Sequence, residues 1–222
     1  MFRRWANVWN PGSAAARSRA RRIELFLRLI PAAAERFEVL DIGGTSWSWR
    51  HLGVTFPPFC EVTLLNLEPE PGPLPPGFRS VVGDARRMTE FGDGAFDLAF
   101  SNSVIEHVGT LYDQLAMARE VRRVARGYFV QTPYRHFPIE PHFLFPGWQY
   151  LPVWFRRRLL NRRNLGWMRR EPDPLRAQAE VEQVRLLDAR EIRLLFPDGE
   201  LWRERFGPLV KSLVVFKRPE PR

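Results

Sequence analysis

With 222 residues and 45% hydrophobic content, the chain is long enough for one domain with a sizeable core and too short for two ordinary domains plus linkers. Its single cysteine, Cys60, excludes an intrachain disulfide and a cysteine-based zinc cluster. No apolar run approaches the ~20 residues that cross a bilayer, and the basic N-terminus matches a cleaved signal peptide poorly, so a cytosolic protein is expected. The net charge of +9 rests on 34 basic residues of which only Lys211 and Lys217 are lysines; some of the arginine excess is compositional, and nucleic acid is not expected as a partner.

Residues 1–20, small, polar and basic, are broken at Pro11-Gly12-Ser13 and read as an N-terminal arm, with 21–222 as the domain proper. Ile23, Leu25, Phe26, Leu29 and Ile30 then recur at near-helical spacing, and Pro31 ends that helix. Strands are predicted over 37–42, 62–67, 79–82, 96–101, 128–132, 202–206 and 212–216. Between them, a helix is predicted over 112–124, ended by Gly127, and another over 189–195, capped by Asp188 and stopped at Phe196-Pro197. This alternation predicts an α/β fold with a doubly wound, Rossmann-like sheet of seven strands. The sheet is expected to be mostly parallel with an antiparallel last strand, because Gly207-Pro208 fits a closing hairpin. From Pro133 to about Arg176 there is no strand period and proline recurs, so 133–176 reads as a lid inserted after the fifth strand.

The first strand runs into Asp41-Ile42-Gly43-Gly44-Thr45. A glycine turn there lets backbone amides and a helix N-terminus approach a ligand at the carboxyl end of the sheet. The Gly-x-Gly-x-x-Gly of a nicotinamide site is absent, which counts against an oxidoreductase. The bulk of Trp47 and Trp49 and the acid at Asp41 disfavour a diphosphate and suit a ligand with positive charge. The two tryptophans are expected as core or pocket wall, and Cys60 as a small buried residue or an idle thiol.

On these residues and those downstream, the chain over about 37–217 resembles the class I S-adenosylmethionine-dependent methyltransferases, in particular the type 11-like group that includes small-molecule enzymes. The resemblance implies S-adenosylmethionine as cofactor, with Asp41, Gly43 and Gly44 holding its methionine end. It implies ribose binding at the end of strand two, and adenine contacts from Asp84 and Ala85 in Gly83-Asp84-Ala85. The segment 96–107, with Ser101 and Asn102, is similar to the fourth strand and the loop that closes over the cofactor. The chain departs from the family in two places. Thr45 and Trp47 stand where glycines are usual, and Asn66 stands where an acid is usual, so Glu68 on the same face by period-two alternation is an alternative ribose ligand. Plainer roles are open as well: Asp41 as a turn cap, Asp84 as a helix initiator, and Glu106-His107 as a helix-start acid beside an imidazole.

Gln131 to His142 is the densest run of acid–base groups and follows the fifth strand, where acceptor and cofactor would meet. His136, Glu140 and His142 are candidates to orient or deprotonate an acceptor, Tyr134 to position it, and His107 to contact it. The alternative is a lid packed by Phe137, Phe143 and Phe145 with merely hydrogen-bonded histidines. Thr132-Pro133-Tyr134 is similar to the Pro-Pro-Tyr of amino-group methyltransferases, but that motif belongs after the fourth strand, where Ser101-Asn102-Ser103 stands. No metal-ligating set is assigned. Residues 156–170 carry seven Arg and no acid beside Trp148, Tyr150 and Trp154; they suit an anionic membrane surface or polyanionic substrate, or form a solvated helical face. The expected activity is methyl transfer to an O or N acceptor on a small or lipid-linked molecule, by a cytoplasmic protein with possible peripheral membrane contact. A binding or scaffold protein that keeps the fold without turnover is the alternative. Oligomeric state is not legible in the sequence.

Overall fold

In a computed structural model describing residues 12–32 and 35–220, the chain builds α1 (Ala14–Leu27), β1 (Phe37–Ile42), α2 (Ser46–His51), β2 (Cys60–Asn66), β3 (Phe78–Val82), β4 (Phe96–Asn102), α3 (Leu111–Val124) and β5 (Ala125–Pro133). The lid follows, with β6 (Ile139–Glu140), β7 (Phe145–Pro146), α4 (Val153–Arg162) and α5 (Pro174–Glu182), and then α6 (Ala189–Leu195), β8 (Glu200–Phe206) and β9 (Leu209–Lys217). β1 is buried at every position and β4 at all but its last, as strands covered on both faces must be. Seven strands form one sheet in the order β3-β2-β1-β4-β5-β9-β8. β1, β2, β3, β4 and β5 run parallel and β9 antiparallel to β5, which is the topology expected from the sequence. Gly207, at φ +58, turns the final hairpin so that Phe206 pairs with Leu209.

Apolar stripes decide which helix covers which face. Ile23 and Phe26 of α1, Leu29 just beyond its end, and Trp49 of α2 pack on Val39, Leu64, Phe100 and Phe129. Met117, Ala118 and Val121 of α3 and Ile192 and Leu195 of α6 cover the other face. Cys60 is buried, as expected. Residues 67–77, with five prolines, join β2 to β3 without a helix, since proline removes the amide donors a helix needs.

Three boundaries differ from the sequence reading. Helix α1 begins at Ala14, so the latter part of the expected arm is helical; residues 1–11 lie outside the described residues. The breaker Pro11-Gly12-Ser13 marks a helix start, because Ser13 accepts the Ala16 amide at 2.9 Å as an N-cap. That helix also ends at Leu27, before Pro31. Second, α3 passes directly into β5 at Ala125, so Gly127 does not terminate it. Gly127 pairs with Leu98, and a Cβ there would lie 2.5 Å from the Pro219 nitrogen. Third, the inserted segment runs past Arg176 through α5. Asp173 with Pro174 behind it is a helix start, its carboxylate accepting the Leu175 and Arg176 amides, and not another proline break. The lid has its own core of Phe143, Trp148, Leu160, Leu165, Ala177 and Val181. Among the described residues, no helix is long and apolar enough to cross a membrane.

A buried ion pair ties α1 to the closing hairpin. Arg22 lies 3.4 Å from Glu204, and both side chains are under 10% exposed (7% and 3%). An irregularity at Glu204/Arg205 accompanies the inward turn of Glu204 from a largely exposed strand, and the Ser212 hydroxyl donates to the same carboxylate at 2.5 Å.

Candidate functional site

The carboxyl ends of β1, β4 and β5 form one edge of the sheet, and Asp41, Gly43, Gly44, Ser101, Asn102 and His107 lie at or just beyond it. After Asp41 and Ile42 the chain turns at Gly43, φ +74, whose amide donates to the Leu65 carbonyl at 2.9 Å. A Cβ on Gly43 would lie 2.5 Å from Val104 Cγ2, and one on Gly44 would overlap the Asp41 carboxylate. Both glycines are therefore demanded by close approach. Thr45, where the family pattern has a glycine, is the N-cap of α2 and accepts the Ser48 amide at 3.1 Å. Trp49 is buried and its Nε1 donates to Asp41 Oδ2 at 2.6 Å, whereas Trp47 is exposed and lies over His51.

Asp41 Oδ1 is buried without a hydrogen-bond partner. Burial pushes this carboxyl up to about 7, against the pull of the Trp49 hydrogen bond and the Arg19 charge. A cavity of about 60 Å3 opens beside it, lined among others by Arg19, Gly43, Gly44, Trp49 and Asn102. Asn102 Oδ1 and Ser101 Oγ are also buried and unpartnered. Arg19, in the segment read as an arm, is brought here by α1, with burial and then the Arg22 charge lowering its pKa to about 10. A carboxylate acceptor and a guanidinium at one small cavity fit the zwitterionic amino-acid end of S-adenosylmethionine. That volume admits this end alone, so the nucleoside would lie along the open edge beyond.

Along that edge, Asn66 ends β2 and its Nδ2 donates to the Gly44 carbonyl at 2.9 Å, bracing the glycine turn. Glu68 stands past the end of the strand and is exposed, so period-two alternation does not place it beside Asn66. Glu70, which the sequence reading passed over, accepts the Ser46 amide and hydroxyl at 2.9 Å each, setting its carboxylate at the start of α2. Asp84 is held by Arg86 at 2.7 Å, and that pairing lowers its pKa. Ala85 is buried in the core beneath it.

On the β4–β5 side, Ser103 adopts φ 60 and is fixed to Gln131 by its amide and its hydroxyl, both at 3.0 Å. This turn leads into a short 3-10 helix, Ile105–His107. Glu106 is fully buried; its Oε2 accepts from Thr132 Oγ1 at 3.1 Å and its Oε1 has no partner. Burial pushes its carboxyl up to about 7. Buried Glu140 accepts the His142 and Phe143 amides at 2.8 and 2.7 Å, and its Oε1 lies 2.6 Å from His142 Nδ1. Burial pulls the His142 pKa down, but the Glu140 hydrogen bond and the Glu140 and Glu106 charges together raise it. The His107 and His142 rings meet edge to face at 4.8 Å. Glu106, His107 and His142 thus come together beside Glu140, while His136 turns outward to Tyr150 Oη at 2.7 Å and Tyr134 packs on it with ring centres 5.2 Å apart.

Behind Glu140 the lid encloses a cavity of about 320 Å3, lined by Arg135, Phe143, Trp148, Gln149 and Arg156 among others. Trp148 Nε1, Gln149 Oε1 and Arg156 Nε are buried without partners. The basic stretch divides: Arg156 turns in to the Val181 carbonyl and Arg157 to Gln178, both at 3.2 Å. Arg162, Arg163 and Arg169 stay exposed, as do Tyr150, Trp154 and Trp167.

Residues 40–130, which carry the glycine turn and the strand ends described above, match the methyltransferase domain family. A comparison with curated proteins finds no match. Among solved structures, the chain is similar to the PH0226 protein of Pyrococcus horikoshii OT3, at 17% identity over 99% of this chain and 97% of that one, with a TM-score of 0.52. It is similar to the same degree, TM-score 0.52 and 14% identity over 99% and 98% of the two chains, to the candidate methyltransferase in the Haloferax volcanii complex with the Trm112 methyltransferase activator. Both likenesses concern the fold. By its matched segment and its sheet topology together, the chain resembles the class I S-adenosylmethionine-dependent methyltransferases, with the family match confined to residues 40–130.

Proposed function

We propose that the chain moves the methyl group of S-adenosylmethionine to an oxygen or nitrogen of a small acceptor bound beneath the lid. The cavity carries this reading, because it abuts Glu140 and presents three buried polar atoms with nothing to bond; such atoms cost stability unless a ligand or water satisfies them. S-adenosylmethionine, when bound, supplies the electrophilic methyl group. Asp41 and Arg19 take its ammonium and carboxylate, and Gly43 and Gly44 let it approach the backbone. Much of the rate in such a displacement comes from alignment, which the rigid ends of β1, β4 and β5 provide. A hydroxyl acceptor must also lose its proton, and His142, its Nδ1 engaged by Glu140, offers Nε2 for that step. Two donors, Trp148 Nε1 and Arg156 Nε, suit an oxygen-rich or anionic acceptor, and the Phe143–Trp148 stack, 4.1 Å between ring centres, suits an apolar body.

Against a panel of hydroxy and amino acids, Glu140→Ala and His142→Ala are expected to lower kcat by about 10²–10⁴-fold with S-adenosylhomocysteine affinity intact. Trp148→Phe is expected to act on the acceptor KM. Unchanged turnover in both of the first two variants would reduce this cluster to packing.

A lipid-linked acceptor is the second reading, favoured by the exposed Tyr150, Trp154 and Trp167 beside Arg162, Arg163 and Arg169. These residues suit an anionic interface. Co-sedimentation with phosphatidylserine vesicles at low salt, lost when the three arginines become glutamine, is the expected result; no co-sedimentation of the native chain removes this reading.

A further inference from the structure

We infer that Glu106, His107 and His142 form a binding site for a first-row divalent transition-metal ion beside Glu140, where the lid meets the end of β4. One ligand-capable atom from each lies within 4.8 Å of the other two. An ion bonding at about 2.0–2.2 Å needs less than about 1 Å of closure to engage all three, within the reach of side-chain rotation.

Three features set this cluster apart from a chance meeting of polar groups. Glu106 is fully buried and its Oε1 has no hydrogen-bond partner, an arrangement that is costly unless something completes it. His142 has its Nδ1 engaged by the carboxylate of Glu140, itself locked by two backbone amides. This is the carboxylate–histidine support that leaves Nε2 free to ligate and orients the ring. Finally, adjacent residues on one 3-10 helix supply two ligands while the lid supplies the third, so binding would fasten the lid to the end of β4. Two imidazoles and one carboxylate favour zinc, cobalt, iron or manganese over magnesium or calcium, which prefer all-oxygen cages.

Three protein ligands leave open positions. On the methyl-transfer reading above, on which this role but not the site itself rests, an acceptor hydroxyl would fill one of them and become more acidic. The acidifying role would then pass from His142 to the ion.

The test is titration of the chelator-stripped full chain with Co2+, read by its visible absorption, beside a thermal-shift assay with S-adenosylhomocysteine. One equivalent should bind, be displaced by Zn2+, and resist excess Mg2+. Glu106→Gln and His107→Ala, the second at an exposed position, should each abolish the signal. Glu140→Gln should weaken binding by about 10–100-fold. Retention of the S-adenosylhomocysteine shift in the variants would show that they fold. Absence of a saturable signal, or its persistence in Glu106→Gln and His107→Ala, would overturn the inference. Loss of the S-adenosylhomocysteine shift in the native chain with cobalt binding intact would count against the methyl-transfer reading and leave the metal site standing.

Discussion

Asp41 joins a buried, half-satisfied carboxylate to a cavity that touches the glycine turn, and its titration carries two opposed consequences. With its pKa at about 7 in the folded chain against 3.8 in a model peptide, the folded state keeps a proton that the unfolded state gives up. Its contribution to stability is therefore complete below about pH 4 and lost as pH rises towards 7. Asp41→Asn keeps an acceptor for Trp49 and should remove that loss, leaving the variant more stable by on the order of 4 kcal/mol near pH 8; urea midpoints across pH 4–8 check this. Cofactor binding should run the other way, since an ammonium prefers the ionised carboxylate. Affinity for S-adenosylhomocysteine should rise by up to about tenfold per pH unit below 7 in the native chain, and lie flat in Asp41→Asn. Arg19 and Glu70 are the charges that also act on this carboxyl.

Gly44 is the second residue with a sharp expectation. Its Cβ would overlap the Asp41 carboxylate, so Gly44→Ala should cost about 1–3 kcal/mol and abolish cofactor binding, measured by thermal melts with and without ligand. Asp41, Gly43, Gly44, Glu140 and His142 could be singled out as candidates because each sits in a local pattern: a strand end, a turn, a run of acid–base groups. Arg19, Glu70 and Trp148 were not, since each gains its role from a partner brought in by folding. Glu70 looked like one acid in a proline-rich link until Ser46 was set against it.

At the scale of elements, short apolar runs between breakers placed all seven main strands, and β1 and β4 most sharply, because a central parallel strand buried on both faces has little choice of residue. The misreadings fell where polar residues are buried. Ser18 and Arg22 of α1 are buried, as is its N-cap Ser13, so an apolar-period test began that helix too late. Arg22 finds its partner only when Glu204 turns inward from β8. Removing one charge of such a pair typically costs about 3–5 kcal/mol, whereas replacing both with apolar groups is near neutral. Arg22→Ala should therefore lower the denaturant midpoint strongly, and Arg22→Met with Glu204→Leu together should restore most of it. If the double variant is no better than the single one, the pair is not what holds α1 in place.

For the molecule as a whole, the sheet brings three strand ends to one edge, α1 lays Arg19 over the first, and the lid closes the last with His142. The methyltransferase match lies within residues 40–130, while Glu140, His142, Trp148 and Arg156, the residues proposed to face the acceptor, lie in the insertion beyond it. That division explains why the cofactor was readable from sequence and the acceptor was not: cofactor contacts follow strand ends in a fixed order, whereas the lid folds on a separate core whose cavity depends on distant packing. The most direct measurement is thermal stability with and without S-adenosylhomocysteine, in the native chain, Asp41→Asn and His142→Ala, with NADH as control. At about 100 times the dissociation constant the ligand should add ~2.7 kcal/mol, roughly 5–10 °C for a chain of this size. The predicted result is a shift in the native chain and in His142→Ala, a much smaller one in Asp41→Asn at pH 8, and none with NADH. No shift in the native chain, or an undiminished shift in Asp41→Asn, would contradict the assignment of the cofactor to this edge.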